Sequence, residues 1–328
     1  MLIIPEYVVS YELISLISKI EAYYQLFLSF DIPSLVFERI RRTSLLKSSL
    51  FSARIEGNTL NMEELQTTSE VQKKKEIFNI IEAHKFVEKN ITKSRPVTIE
   101  LIQELHHIVL HDLHANAGQL RLEIGAIFNQ SGEAVYLSPP PEKIKPLLYE
   151  LLTYVNSDRE KIPLVTAMIA HLAFEKIHPF IDGNGRVGRL LIDMVLRSKG
   201  YSFNIPIPFE EFLDDNKTQY YSAIDRGLRN PDNYLFFMLD AFHKQAEKVK
   251  DELFVLLKKK ETIWLPPRQE EIFQIIKEHK IISFDFLRRR FLKIPPRTLR
   301  YDLKKLADAK LIVKIGKTRG SYYAMKAD

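Results

Sequence analysis

A mainly helical fold with one β-hairpin, followed by a small α+β unit, is predicted by three observations. Apolar residues recur at helical spacing through most of residues 1–250. Strand-like alternation in that stretch is confined to residues 121–137. After Trp264-Leu265-Pro266-Pro267 the pattern changes to short helices and two short strands. At about 150 residues per domain, a chain of 328 residues suggests two domains.

The elements follow in order. Ile77, Ile80, Ile81 and His84 mark one helix, and Leu101, Leu105, Ile108 and Val109 another. RLEIGAIFNQ and EAVYL flank the turn-forming Ser131-Gly132 and read as a hairpin. Pro139-Pro140-Pro141 interrupts both helix and strand, so the next helix is expected from about Ile144. Leu164, Met168, His171 and Leu172 continue the helical spacing from Pro163. Beyond the boundary, helices near 268–278, 283–291 and 295–309 precede the strands LIVKIG and SYYAMK. Gly316 and Gly320 sit at the turn between them, and the order fits a winged helix-turn-helix.

Composition narrows the function classes. The chain has no cysteine, which excludes disulfides, thiolate metal sites and cysteine nucleophiles. Hydrophobic and charged fractions of 45% and 27% are those of a globular chain. The opening MLIIPEYVVSYELISLISKI lacks the basic-then-apolar order of a signal peptide. No uncharged apolar run reaches the length of a membrane span, and a cytoplasmic location is expected. Residues 262–328 carry a net charge of +9 against −3 for 1–261, which suggests two separate jobs.

The richest stretch is HPFIDGNGRVGRLL, residues 178–191. His178 has the one side chain here that titrates near neutrality, so it can take a proton from a hydroxyl. Asp182 supplies a hard oxygen suited to Mg²⁺. Gly183, Asn184 and Gly185 expose backbone N–H groups where a helix begins, a natural anion nest. Arg186 and Arg189 are three apart and are expected to point towards the same anion. Together these describe a phosphate-transfer site. The run from Gly183 to Gly188 also spells GxGxxG, but a helix precedes it and no acid lies about 20 residues on, against a dinucleotide fold. No P-loop motif is present.

These residues resemble the Fic family signature HxFx(D/E)GNGRxxR at every specified position. The resemblance extends to GQLRLEIG…VYLSPPP, similar to that family's lead-in and flap, and covers roughly residues 40–240. It implies a Fic-type helical core that transfers AMP from ATP, with Mg²⁺, to a hydroxyl of a target protein. His178 would then be the general base and Phe180 a buried anchor for the loop. Asp182 would hold Mg²⁺. The run Gly183, Asn184, Gly185, Arg186, Val187, Gly188 and Arg189 would bind the ATP phosphates, with Arg189 on the γ-phosphate. Tyr220 and Tyr221 resemble the paired tyrosines near the adenine pocket. Val135 and Tyr136 on the flap would dock the target by strand addition. Leu228 replaces an asparagine that some relatives carry, which leaves the donor open between ATP and UTP, GTP or a CDP-linked alcohol.

Ser52-Ala53-Arg54-Ile55-Glu56-Gly57 resembles the family's inhibitory motif [S/T]xxxE[G/N]. Ser52 and Glu56 are four apart on one helical face, and Gly57 ends the helix. The resemblance implies a Glu56–Arg189 pair that keeps the enzyme off; in some relatives the same glutamate helps remove AMP again. The implied organisation is an N-terminal region 1–95, a catalytic core 96–250 and a winged helix 262–328. Arg297, Thr298, Arg300, Lys304 and Lys305 stand where a recognition helix would carry them, so DNA is a candidate partner, beside dimerisation or protein binding. A DNA-binding regulator that senses nucleotide is the rival reading. The apolar face of residues 1–40 suits either covering the core or forming a homodimer. His106, His107, His111 and His114 are read as core or capping residues rather than zinc ligands, and His171 as packing beneath the loop.

Overall fold

The computed structural model describes residues 3–30, 32–128, 134–258, 265–309, 311–316 and 321–325. The chain divides into two compact units, residues 1–255 and 256–328.

The first unit opens with α1 (Tyr11–Ser29), capped by the Ser10 hydroxyl, and α2 (Ser34–Ile55). The short α3 (Glu64–Thr67), α4 (Val71–Asn90) and α5 (Ile99–Val109) follow. Next come β1 (Ala126–Phe128) and β2 (Ala134–Leu137), then α6 (Pro141–Asn156), α7 (Pro163–Ile177) and α8 (Asn184–Ser198). The unit continues through α9 (Phe209–Asp215), α10 (Lys217–Gly227) and α11 (Pro231–Lys258). Among the described residues, no helix is long and apolar enough to cross a membrane.

α6 starts at Pro141, three residues earlier than expected. Proline is tolerated at the first helical position, where its missing N–H has no intrahelical partner to lose. α7 also departs from its pattern. Its spacing suggests one apolar face, yet every residue from Leu164 to Ile177 is buried, with α6, α8 and α10 packed around it. It is the central post of the unit, and the site hangs from its C-terminus. The apolar face of α1 lies on its own chain: Tyr24 stacks on Tyr201 at 4.1 Å and Phe27 packs near Phe203. Part of the apolar surface of residues 1–40 thus covers the core, while Tyr11, Ile14 and Leu28 stay exposed.

β1 and β2 pair antiparallel, Ala126 opposite Leu137 and Ile127 opposite Tyr136, with a bulge before Phe128. The Ser131-Gly132 turn lies outside the described residues.

The second unit contains α12 (Pro267–His279), β3 (Ile281–Ser283), α13 (Phe284–Arg290), α14 (Pro296–Asp308), β4 (Ile312–Ile315) and β5 (Tyr322–Met325). Its sheet order is β3-β5-β4. Ile272, Ile276, Leu287, Leu299, Leu303 and Ile312 meet in one core. β3 was absent from the sequence reading; three residues leading straight into a helix carry too little alternation to register.

Candidate active site

α7 ends when His178 takes a left-handed backbone, φ 50° and ψ 59°. That conformation costs a non-glycine residue about 1–2 kcal/mol and needs outside support. Arg121, buried and between α5 and β1, supplies it. Its Nε donates to the His178 carbonyl at 2.7 Å, and its backbone N–H donates to the Pro179 carbonyl at 2.9 Å. A further guanidinium N–H reaches the Pro139 carbonyl, so one arginine ties hairpin to loop. Arg121 lies within GQLRLEIG, where spacing alone gives no sign of these contacts.

The His178 ring is set by Glu175, whose carbonyl lies 3.3 Å from Nδ1. With the proton on Nδ1, Nε2 keeps its lone pair. Burial lowers the imidazole pKa, opposed by that hydrogen bond and by the charges of Glu56 and Asp182. A neutral base is therefore present at ordinary pH.

Phe180 is fully buried and lies flat on the His106 ring, 3.7 Å between centroids. The Gly118 N–H donates to His106 Nδ1 at 2.7 Å, so Nε2 carries the proton and donates to the Asp182 carbonyl at 2.9 Å. Burial takes the His106 pKa down to about 4, consistent with this neutral tautomer. His106 thus caps the loop from α5.

Asn184 differs from its expected part. The Phe180 N–H donates to its Oδ1 at 2.9 Å, and its Nδ2 donates to the Phe180 carbonyl at 2.8 Å. Both ends of the amide are spent closing the loop, which leaves its backbone as the anion donor. Gly183, at φ 80°, turns the chain into α8.

The two arginines do not converge on one anion. Arg186 sits between Asp182, at 2.9 Å, and Glu76 of α4, at 2.5 Å. Arg189 is 2% exposed; its Nε donates to the Ser52 hydroxyl at 3.0 Å and its Nη2 to Glu56 Oε1 at 3.0 Å. Buried guanidinium groups require carboxylate partners, and α4 and α2 each bring a separate one. Glu76 had no motif to announce it.

Val187 and Gly188 are buried in α8, Gly188 against the Glu175 carboxyl. Glu56 also covers the turn: a side-chain carbon on Gly185 would run into its carboxylate. Gly57, at φ 103°, follows it.

Tyr220 is 1% exposed and belongs to the core instead of an open adenine pocket. Its hydroxyl lies 3.1 Å from His171 Nε2. His171 Nδ1 lies 2.7 Å from the Tyr234 hydroxyl, which donates to the Met168 carbonyl at 3.0 Å. The proton order is thereby set: Tyr220 to His171, His171 to Tyr234, Tyr234 to the Met168 carbonyl. Tyr221 is half-exposed, and its hydroxyl donates to the Ile55 carbonyl at the end of α2. Tyr136 donates to the Lys176 carbonyl at 2.8 Å and holds the hairpin on α7.

Residues 96–196 match the Fic/DOC family. That segment of the chain is similar to a Fic domain. The protein adenylyltransferase Fic of Drosophila melanogaster is 28% identical over 175 residues, 50% of this chain and 34% of the relative. That of Drosophila yakuba is 29% identical with the same coverage. The chain thus spans about a third of the length of these curated relatives. A Fic family protein from Desulfovibrio desulfuricans shares the fold, with TM-score 0.70 at 20% identity over 99% of this chain and 98% of that one. Fic-1 from C. elegans aligns with TM-score 0.61 at 18% identity, covering 76% and 74%. The Fic domain accounts for α5 to α8; α2, which delivers Glu56, lies before it.

Asp182 suits magnesium as the substrate's metal. Its side chain is 52% exposed. Burial works against ionisation, but Arg186 and the Gly183 N–H outweigh it and lower the pKa. Among the described residues no group of three acidic or histidine side chains gathers. Mg²⁺ commonly needs only one or two carboxylates when phosphates and water complete its shell, so the single carboxylate fits.

Proposed function

We propose that this chain transfers AMP from ATP to a hydroxyl of a target protein, and that Glu56 holds it off. The supporting observation is the neutral His178, its Nδ1 set by Glu175, in a loop that leads to the α8 N-terminus. In this reading the target's Ser, Thr or Tyr oxygen attacks the α-phosphorus and gives its proton to His178 Nε2. The new oxygen–phosphorus bond forms as the bond to the bridging oxygen breaks and pyrophosphate leaves. The backbone N–H groups opening α8 hold phosphate oxygens. Asp182 holds Mg²⁺, which when bound neutralises phosphate charge. The unpaired edge of the β1–β2 hairpin, at Val135 and Tyr136, receives the target as an added strand.

The off state rests on Arg189. Glu56 and Ser52 occupy the guanidinium, and the Glu56 carboxylate lies over Gly185. The γ-phosphate and Glu56 compete for one cation, so nucleotide is misaligned while the pair is closed. The test is label transfer to lysate proteins from α-³²P-ATP and, separately, γ-³²P-ATP. Label from the α-position alone, raised by Glu56→Gly and abolished by adding His178→Ala, supports the reading. No α-label from any variant that binds ATP removes AMP transfer.

We propose a second role for residues 256–328, the binding of duplex DNA. α14 exposes Arg297, Arg300, Tyr301, Lys304 and Lys305. Asp302 turns inward onto Arg268 at 2.5 Å. A cationic helix face free of exposed acids until Asp308 suits double-stranded DNA. A gel shift whose affinity falls steeply with salt tests it; no duplex retained at low salt refutes it.

A further inference from the structure

Arg121 is buried and draws three stretches of chain together: the lead-in to β1, the chain leaving β2 and the loop after α7. Its guanidinium donates to the carbonyls of Glu123, Pro139 and His178 at 2.7, 2.6 and 2.7 Å. Its backbone N–H donates to the Pro179 carbonyl at 2.9 Å. A guanidinium shut away from water keeps such partners, so the three stretches hold their places.

Each stretch carries a large aliphatic side chain that the fold leaves in water. Leu122 and Ile124, on either side of Glu123, are 88% and 68% exposed. Leu137, opposite Ala126 in the hairpin, is 68% exposed, and Ile181, beside Asp182 in the loop, 49%. Strand alternation accounts for Leu137. Tyr136 turns onto α7, where its hydroxyl donates to the Lys176 carbonyl, so its neighbour faces away. The Ser138 N–H donates to the Gly125 carbonyl at 2.9 Å, which sets the chain around Ile124 beside the chain around Leu137. Single apolar residues on a surface need no explanation, but several brought together mark a contact site.

We propose that Leu122, Ile124, Leu137 and Ile181 form an apolar rim that selects target segments in which large aliphatic residues flank the acceptor hydroxyl. Position fixes the occupant. Arg121, which precedes Leu122, also holds the His178 carbonyl, and Ile181 lies three residues beyond that histidine. A chain that presents its hydroxyl to the His178 ring therefore passes over the rim. The rim adjoins the hairpin edge that would take an added strand, so the side chains it meets are the acceptor's neighbours in sequence. Glu123 and Asp182, the exposed charges interspersed with these residues, are both acidic and disfavour acidic neighbours. That the occupant is the acceptor rests on the AMP-transfer reading; the apolar preference itself is read by binding alone.

The test is fluorescence anisotropy of the full chain, in the Glu56→Gly background, with two short fluorescein-labelled peptides. One carries a central threonine with two leucines on each side, so that either face of an extended strand bears them; the other has serine in place of those leucines. Burying one exposed leucine is worth about tenfold in affinity. The leucine peptide should bind saturably and at least tenfold tighter than the serine peptide. Leu122→Ser/Ile124→Ser and, separately, Leu137→Ser should each weaken it at least fivefold and leave the serine peptide unchanged. Equal binding of the two peptides, an undiminished preference in both variants, or no saturable binding of the leucine peptide would each overturn the rim. Label transfer from α-³²P-ATP to lysate proteins, run beside it, keeps the two readings apart. Label with no peptide preference leaves AMP transfer standing and removes the rim. The leucine preference, lost in the variants, with no label on any protein keeps the rim as a docking surface and removes AMP transfer.

Discussion

Glu56 Oε1 lies 3.0 Å from the Arg189 guanidinium, and its carboxylate rests over Gly185 at the opening of α8. One carboxylate therefore engages both the cation and the backbone turn to which phosphate would bind. A hydrogen bond between charged groups is worth about 1.5–3 kcal/mol, and 1.4 kcal/mol is tenfold in affinity. Glu56→Gly should lower the ATP dissociation constant by roughly ten- to a hundredfold, measured by calorimetry. An unchanged constant would show that the pair does not compete with nucleotide.

His178 should set the acid limb of the pH–rate profile. The imidazole acts as base only when neutral, and burial lowers its pKa. Loss of its proton-accepting form therefore begins at lower pH than for a free histidine. In a Glu56→Gly background, the acid limb of kcat/KM for label transfer should lie below the ordinary imidazole midpoint of about 6.5. An acid limb above the ordinary imidazole range would contradict this.

The adjacent tyrosines should respond differently to loss of their hydroxyls. Tyr220→Phe removes the donor to His171 Nε2 and leaves that buried ring nitrogen short of a partner. A cost of about 1–3 kcal/mol is expected. Tyr221→Phe removes one hydrogen bond from a half-exposed ring and should cost about 1 kcal/mol or less. Urea unfolding of both variants checks the contrast; equal losses would contradict the proton order described above.

Buried acids and buried histidines should place maximum stability in weakly acidic solution. Burial raises Glu175 to about 8 and Glu210 to about 7, so the folded protein holds more protons than the unfolded chain above pH 4.5. That stability is lost as pH rises through 7 and 8. Burial lowers His171 to about 3, so its contribution is lost as pH falls below the unfolded value of 6.5. Unfolding free energy should decline from pH 6.5 to 8, and Glu175→Gln should flatten that decline. An undiminished decline in the variant would remove Glu175 from the explanation.

The Gly188–Glu175 approach predicts a coupled pair. A side-chain carbon at Gly188 would meet the Glu175 carboxyl inside contact distance. Gly188→Ala should cost about 1–3 kcal/mol, as overpacking does. Adding Glu175→Ala should recover part of it, which a double-mutant cycle in denaturant measures. Additive losses would mean that the contact is slack.

Much of the site was legible in sequence because it is local. His178, Phe180, Asp182 and the glycines lie within one turn between two helices, and their chemistry follows from residue type and order. The Ser52–Glu56 spacing likewise encoded a shared face, and the Glu56–Arg189 pair is present across 133 positions. What stayed hidden depends on burial and on distant chain. Glu76 lacked any pattern, Arg121 stood within GQLRLEIG with nothing to mark its contacts, and the burial of Tyr220 is a property of the helices around it. Adjacency reports which residues are near, not which partner each satisfies, so the contacts of Asn184 with Phe180 and of Arg186 with Glu76 stayed hidden. Sequence alone determined the helical class, the hairpin, the loop between two helices that carries His178 and the basic tail, all of which rest on short-range periodicity and charge. Only the tertiary structure decided the partners of each arginine, the tautomer of each histidine and the burial of the Glu210 carboxyl. Those depend on desolvation, and a group's desolvation is set by every helix packed around it.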